Sequence, residues 1–463
     1  MEFISVLNDV LGPVMRGPSS SHTAGSHHIG RLVRSLLGEE PASAVFTFDP
    51  AGSYARTYRQ QGVDLALTAA LLGWPITDDR FARALALAPK AGLRVDFRVA
   101  RLDRPDHPNT VRIELLSKTG KRLEATAKSV GGGMVLVTEL DGRPVRLDGK
   151  TAVTLKIGGA TRTAPPIFRV RKGEALFSSG AEMVRLAGRR RWSLGRAALA
   201  YEARLLGIAE KDVVAEVLDR YGIMRDSVRQ GLAGRGVRMK LLKPAAGSIF
   251  RAEAAEGLPG GGLHARAAAR AMAALHVSNS GGVVCAAPTG GSAGVLPGVM
   301  VTLAEEKGLE GERLALALLA AAAVGLVVAR RATFAAEVAG CQVEIGAAGA
   351  MAAAAVVEAS GGSAGRAADA AAVALQNTMG SVCDLVQGMC EIPCHTRNAV
   401  AASNAFVCAD LVLGGYGNPV PLDETVDAAY ASGKMLPAEL RCTALGGLAV
   451  APSALALKPR SSL

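Results

Sequence analysis

Aromatic side chains are scarce, at 4% of the 463 residues, and charged ones reach only 20%. The apolar share is nevertheless 49%, and it comes with 54 glycines and long alanine runs. A core of this kind packs small side chains, which favours closely approaching helices and tight turns over aromatic layers. Hydrophobicity at this level excludes disorder over most of the length. No apolar run reaches the roughly 20 residues of a membrane span. The longest, Leu314 to Ala329, has sixteen residues and reads as a buried core helix. The N-terminus carries Glu2 and Asp9 and lacks a basic lead into a long apolar stretch, so it does not read as a secretory signal.

Among the seven cysteines there is no CxxC pair. An odd count in a large chain without a signal does not suggest a disulfide framework, and a reducing cytoplasm is the expectation. Basic residues exceed acidic ones by 52 to 41, leaving +11. A nucleic-acid binder gathers such an excess on one stripe with interleaved aromatics. Here it is dispersed, and the one dense run, Arg185 to Arg196 around Trp192, reads as a solvated basic face. Neither nucleic acid nor a membrane is an expected partner.

The pattern predicts an α+β protein: an N-terminal α/β domain over residues 1–157, a linker over 158–173, and a mostly all-α, alanine-rich catalytic domain over 174–463. Strands are expected at Ala44–Phe48, Leu93–Val99, Thr110–Leu116, Met134–Thr138 and Thr151–Ile157, which are rich in Val, Phe, Thr and Ile. Asp64–Leu72 and Asp79–Leu87 have helical spacing. The later helices are broken by glycine-rich stretches such as Gly260–Gly262, Gly290–Gly294 and Gly361–Gly365, where a backbone can approach a ligand closely.

Three segments carry chemistry. Gly17 to Arg31, GPSSSHTAGSHHIGR, sets Ser19, Ser20, Ser21, His22 and Thr23 just ahead of a helix starting near Ser26. Hydroxyls, an imidazole and free helix-terminal N–H groups suit a small carboxylate or phosphate. A serine-rich cap without a ligand fits the same residues. His27 and His28 point in different directions on a helix and read as surface or packing residues. Ala287 to Val299, APTGGSAGVLPGV, lacks the lysine of a phosphate loop and exposes Thr289 between Pro288 and two glycines; a plain helix connection fits it as well. Cys341, Cys383 and Cys394 sit beside polar neighbours, Gln342 and Glu344, Asp384, and His395 with Arg397 and Asn398. Buried structural thiols do not require such company, and soft thiolates select zinc, copper(I) or iron–sulfur clusters.

GPSSSHTAG, HPNT at His107–Thr110, SVGGG at Ser129–Gly133, APTGGSAGVLPG, GCQVEIG, VCDLVQGMCEIPC, RNAVAASNA and TALGGLA at Thr443–Ala449 follow one another along the chain. In these motifs it resembles the iron–sulfur-dependent L-serine dehydratases, the L-serine ammonia-lyases. The early part resembles the β-chain of the two-subunit type, without the regulatory domain that usually ends it. The later part resembles the α-chain, so the whole resembles a β–α fusion. The resemblance implies a 4Fe–4S cluster held by Cys341, Cys383 and Cys394, with Cys390 outside the ligand set. Some single-chain members add a C-terminal cysteine; the tail Arg460–Leu463 has none, which implies a fourth iron open to substrate or water. It further implies Ser19, Ser20, His22 and Thr289 as catalytic residues. Ser21, Thr23, Ser53, Ser129, Gly290, Arg397 and Asn398 are implied to bind a small amino-acid substrate, in a homodimer.

The implied reaction removes water across the Cα–Cβ bond of L-serine and ends in pyruvate and ammonia, without pyridoxal phosphate. The base is left open between a serine or threonine alkoxide near the cluster and His22. Three departures bear on the substrate. Gln61 stands where the family commonly has histidine, Val63 where it has threonine, and Pro259 lies in a run that loses a threonine and an aspartate. A polar-to-apolar change in a pocket leaves partners unpaired or signals another ligand. The expectation is weaker use of L-serine and better acceptance of a less polar β-position. Alternatives are a related lyase for L-threonine, L-cysteine or a specialised metabolite, or a non-catalytic small-molecule-binding homologue.

Overall fold

The computed structural model describes residues 4–103, 105–157 and 159–460. The chain forms two compact units. One is Pro18–Val170; the other joins the segment ending at Gly17 to the chain from Arg171 onward.

The unit Pro18–Val170 is built on a six-stranded sheet in the order Arg94–Val99, Pro41–Phe48, Thr110–Ser117, Arg122–Gly131, Met134–Leu140, Arg143–Leu147. The first pair is parallel, with Phe46 opposite Phe97, and the others are antiparallel. Helices Gly25–Leu37 and Val63–Leu71 supply Ile29, Leu32, Leu36, Leu67 and Leu71 to a core shared with Phe46, Phe48, Val111 and Ile113 from the strands. The five expected strands are all present. The strand Arg122–Gly131 escapes a search for β-branched residues, because its buried face is Leu123, Ala125, Ala127 and Ser129. It is a strand because the antiparallel partner sets Ile113 against Ala125, and alternation of burial, more than intrinsic preference, decides a sheet position.

Two boundaries differ from the sequence reading. The expected linker contains the strand Ala160–Ala164, paired antiparallel with Val153–Ile157. The N-terminal segment packs with the helices, not with the sheet. Val6, Leu7, Val10 and Leu11 enter the helical core, and Val14–Arg16 pairs antiparallel with Val283–Cys285. The buried Glu202 carboxylate accepts hydrogen bonds from Ser5 Oγ at 2.5 Å, Val6 N at 2.8 Å and Leu7 N at 3.0 Å. Glu202→Ala would leave three donors without this acceptor. We expect a loss of about 3 kcal/mol in urea unfolding, and a clearly smaller loss for Glu202→Gln. Equal stability of the alanine variant and the parent would show that water replaces the carboxylate.

The helical unit surrounds Gly311–Arg331 and Ile345–Ala359. By length and composition, Gly311–Arg331 and the stretch Cys341–Ala359 could each cross a bilayer, but 78% and 89% of their apolar windows are buried inside the protein. They are core helices. Alanine and glycine let neighbours close in: a Cβ on Gly231 would fall 1.9 Å from the carbonyl oxygen of Ala273.

Candidate active site

Within the unit Pro18–Val170, Ser19–Thr23 folds into one wide helical turn, Ser20–Ala24, that leads directly into Gly25–Leu37. Ser19 caps the turn by accepting from His22 N at 3.1 Å. The His22 ring is fully buried. Its Nδ1 lies 3.2 Å from Ser19 Oγ and 3.0 Å from Ser21 Oγ, and its Nε2 lies 3.1 Å from Ser53 Oγ. Burial, with His107 nearby, lowers His22 to about 3, so the ring is neutral throughout the physiological range. Thr23 donates to the Gln61 carbonyl at 2.7 Å. The Ser20 hydroxyl is buried without a protein partner, a condition that a polar ligand relieves. Ser129 lies below the turn, so close to Gly25 that a Cβ there would sit 2.2 Å from Ser129 Oγ. Tyr54, not anticipated from the sequence, donates to the Ser21 carbonyl at 3.2 Å and accepts from Ser26 at 2.9 Å.

A second set forms in the helical unit. Cys341 precedes Ile345–Ala359, Cys383 lies in a loop, and Cys394 opens the helix Cys394–Leu413. One side-chain ligand atom each of Cys341, Glu344 and Cys383 lies within 4.8 Å of the others. Cys383 is in hydrogen-bonding contact with both Cys341 and Cys442, and Cys390 with Cys394. Five buried thiols are thus gathered among three chain segments, none in a disulfide. Contact with Cys383, aided by the Arg397 guanidinium, holds the Cys341 thiol below its ordinary value against the effect of burial. Contacts with Cys341 and Cys442 push Cys383 well up. Burial, with Cys341 beside it, pushes the Glu344 carboxyl well above the usual range, and Glu344 is in hydrogen-bonding contact with Thr289. Thr289 Oγ1 lies 2.9 Å from Ser292 Oγ. Buried soft donors with a cation at one sulfur match what an iron–sulfur group needs from its host, so the residues fit such a cofactor.

Known proteins resemble this chain across the segments that carry these residues. The Serine dehydratase alpha chain family matches residues 118–449, which span the thiol set and most of the helical unit. The chain belongs to this family. It is an enzyme of the lyase class. The probable L-serine dehydratase alpha chain of Bacillus subtilis is 34% identical over 285 residues, covering 62% of this chain and 95% of that protein. The probable beta chain of the same organism is 43% identical over 157 residues, covering 34% of this chain and 69% of its own length. A single protein, L-serine dehydratase TdcG of Escherichia coli, is 29% identical over 462 residues, 94% of this chain and 96% of its own. Likenesses to alpha and beta chains within one polypeptide agree with the fused organisation.

The expected residues thus gather in two places. Ser19, Ser20, Ser21, His22, Thr23, Ser53 and Ser129 belong to one unit. Thr289, Gly290, Cys341, Cys383, Cys394, Arg397 and Asn398 belong to the other. One has its polar atoms taken up within the protein, and another reaches a thiol. Asn398 donates to the carbonyls of Gly291 at 2.9 Å and Cys394 at 2.8 Å and accepts from Gly294 N at 3.1 Å. Its polar atoms hold the Thr289 loop against the Cys394 helix instead of facing a ligand. Arg397 donates to the Val382 carbonyl at 2.7 Å, pairs with Asp384 at 3.0 Å and approaches Cys341 Sγ at 3.7 Å. It also lines a cavity of about 300 Å³ together with Cys341, Ser381 and Asn404. Val63 is wholly buried in the sheet–helix core. Pro259 sits in an exposed loop. Sequence reasoning noted Glu344 only as a polar neighbour of Cys341, and it left aside Cys442, which no local spacing connects to the other cysteines.

Proposed function

We propose that this protein is an iron–sulfur-dependent lyase that deaminates L-serine to pyruvate and ammonia by eliminating water. The observation that carries the reading is the gathering of buried thiols around Cys341 and Cys383 in a chain of the serine dehydratase family. Cys341, Cys383 and Cys394 would hold a 4Fe–4S cluster. When bound, such a cluster supplies a Lewis acid, which the poor hydroxide leaving group of serine requires. The protein's own groups do the rest. The Ser20 hydroxyl, with no protein partner, and the hydroxyls of Ser19 and Ser21 offer hydrogen bonds to a carboxylate. His22 stays neutral, and its two ring nitrogens orient the hydroxyls of Ser19, Ser21 and Ser53. Thr289, between Glu344 and Ser292, provides a hydroxyl through which a proton can pass.

A related β-substituted amino acid is the second reading, favoured by the buried Gln61 side chain in the unit that carries His22. An amide there donates and accepts hydrogen bonds but carries no charge near neutral pH, unlike the histidine it replaces. A reducing cytoplasm and a homodimer belong to the same proposal. The seven unbridged thiols support the first, and the exposed Val400, Val407 and Leu411 on the helix Cys394–Leu413 support the second.

Anaerobic, iron-replete preparation should give brown protein with about four irons and four sulfides per chain. It should release pyruvate and ammonia from L-serine faster than 2-oxo acids from L-threonine or L-cysteine. Colourless protein that is still active would overturn the cluster, and brown protein inert toward the whole panel would overturn the lyase reading.

A further inference from the structure

The cavity of about 300 Å³ beside Cys341 has no part in the reaction proposed above. All of its lining residues belong to the helical unit, and none of them is acidic. Its wall carries one cation, Arg397, and an apolar side made by Ile345, Val400 and Ala401. The bonds of Arg397 to Val382, Asp384 and Cys341 are all made by Nη1. Among the described residues, Nε and Nη2 of this guanidinium have no partner. Asn404 lines the same cavity. Its Oδ1 accepts from Asn377 Nδ2 at 3.2 Å and from Cys408 Sγ at 3.5 Å, which fixes the amide orientation. Its Nδ2 is buried without a partner. The unused groups of Arg397 and Asn404 are therefore donors, as a carboxylate requires.

Three hydroxyls on the wall have the opposite character. Thr378 donates to the Leu375 carbonyl at 3.0 Å, Ser381 to the Thr378 carbonyl at 2.6 Å, and Thr396 to the Pro393 carbonyl at 3.0 Å. A hydroxyl has one hydrogen, so once the backbone takes it the oxygen can only accept. Such oxygens suit an ammonium group, which donates and cannot accept. Gly346 keeps space around one of them, because a Cβ there would fall 2.5 Å from Thr378 Oγ1. A molecule with a carboxylate, an ammonium and a short apolar side chain meets all three kinds of wall. The volume lies at the lower end of the roughly 300–1,000 Å³ of ligand pockets, which suits a small occupant.

We propose that this cavity is a second site, apart from the serine turn, that binds a small zwitterionic α-amino acid with an apolar side chain. The assignment follows from the chemistry of the wall and does not require the cluster. Arg397 and Cys341 both line the cavity and touch one another, so an occupant lies against the thiol centre.

The test is calorimetric titration of the anaerobic full-length protein with L-alanine, which has no β-leaving group and is not consumed. Parent, Asn404→Asp, Thr396→Val and Ser20→Ala proteins are compared, with Tm as the control for folding. Asn404→Asp keeps the shape and the acceptor but puts a negative charge in place of the unused donor. It should weaken binding by about tenfold or more, and Thr396→Val, which removes one acceptor, by about tenfold. Ser20→Ala should retain this binding. Pyruvate and methylammonium, which each satisfy only part of the wall, should bind the parent about tenfold more weakly than alanine or worse. A parent that binds no alanine, or an affinity unchanged in both Asn404→Asp and Thr396→Val, would overturn the site. Binding lost in Ser20→Ala and kept in Asn404→Asp would place the ligand at the serine turn and overturn it as well. None of these outcomes touches the iron count or pyruvate release, which test the lyase reading separately.

Discussion

Replacing Cys341 or Cys383 by serine should abolish the brown chromophore and reduce serine deamination by orders of magnitude. The same change at Cys408 should leave both close to the parent. The contrast follows from what surrounds each thiol. Cys341 and Cys383 touch one another, with Arg397 beside the first and Cys442 beside the second. A serine hydroxyl is a harder and weaker ligand than a thiolate. Cys408 lies inside the helix Cys394–Leu413 with its thiol pushed up to about 11 by burial, and it meets Asn404 at 3.5 Å. Near-ultraviolet and visible spectra, iron counts and pyruvate release measured on the same preparations decide the matter, with Tm as the control for folding. A Cys383→Ser protein that keeps its colour and turnover would remove this residue from the centre.

Acid should destabilise the unit Pro18–Val170 well before carboxylate titration begins. Burial lowers His22 and His27 to about 3 and His28 to about 4, from an ordinary value of 6.5. His27 Nε2 lies 2.9 Å from the Trp74 carbonyl oxygen and His28 Nδ1 lies 2.7 Å from that of Gly133, so neutral rings fill buried sites. Between these lowered values and 6.5 the unfolded chain binds protons that the folded chain refuses. Stability from these groups is therefore complete above pH 6.5 and falls as pH drops toward 3 to 4. At pH 5 each ring costs on the order of 1–2 kcal/mol. The chain has two tryptophans, Trp74 in this unit and Trp192 in the other. Fluorescence of a Trp192→Phe protein during urea unfolding at pH 7, 6 and 5 therefore reports the affected unit. A midpoint that stays level from pH 7 to 5 would show that the imidazoles take up protons in the folded state.

Much of the site could be read along the chain because its pieces are local. Ser19 to Thr23 are consecutive, and a serine-rich turn before a helix announces a cap or an anion site whatever the rest of the fold does. Cys341, Cys383 and Cys394 stood out through their polar neighbours. The alanine-rich composition past residue 174 indicated helices, since those residues pay little to enter them, and the longest apolar run became the buried helix Gly311–Arg331.

Other features depend on distant partners, and only the tertiary structure decided them. Met15 opposite Val284 and Glu202 against Ser5–Leu7 assign the N-terminal segment to the helical unit, through contacts nearly 200 or more residues apart in the chain. Val63 reads as a departure from the family's run, and the structure seats it in the sheet–helix core. Asn398 reads as a ligand group until its amide is seen engaged with Gly291, Gly294 and Cys394. Cys442 has no spacing signal at all; a strap of backbone hydrogen bonds brings it to Cys383. Short-range patterns are written into consecutive residues, where turn geometry and helix periodicity constrain them directly. Long-range proximity is set by how whole faces pack, and that information is spread over side chains far apart in the sequence.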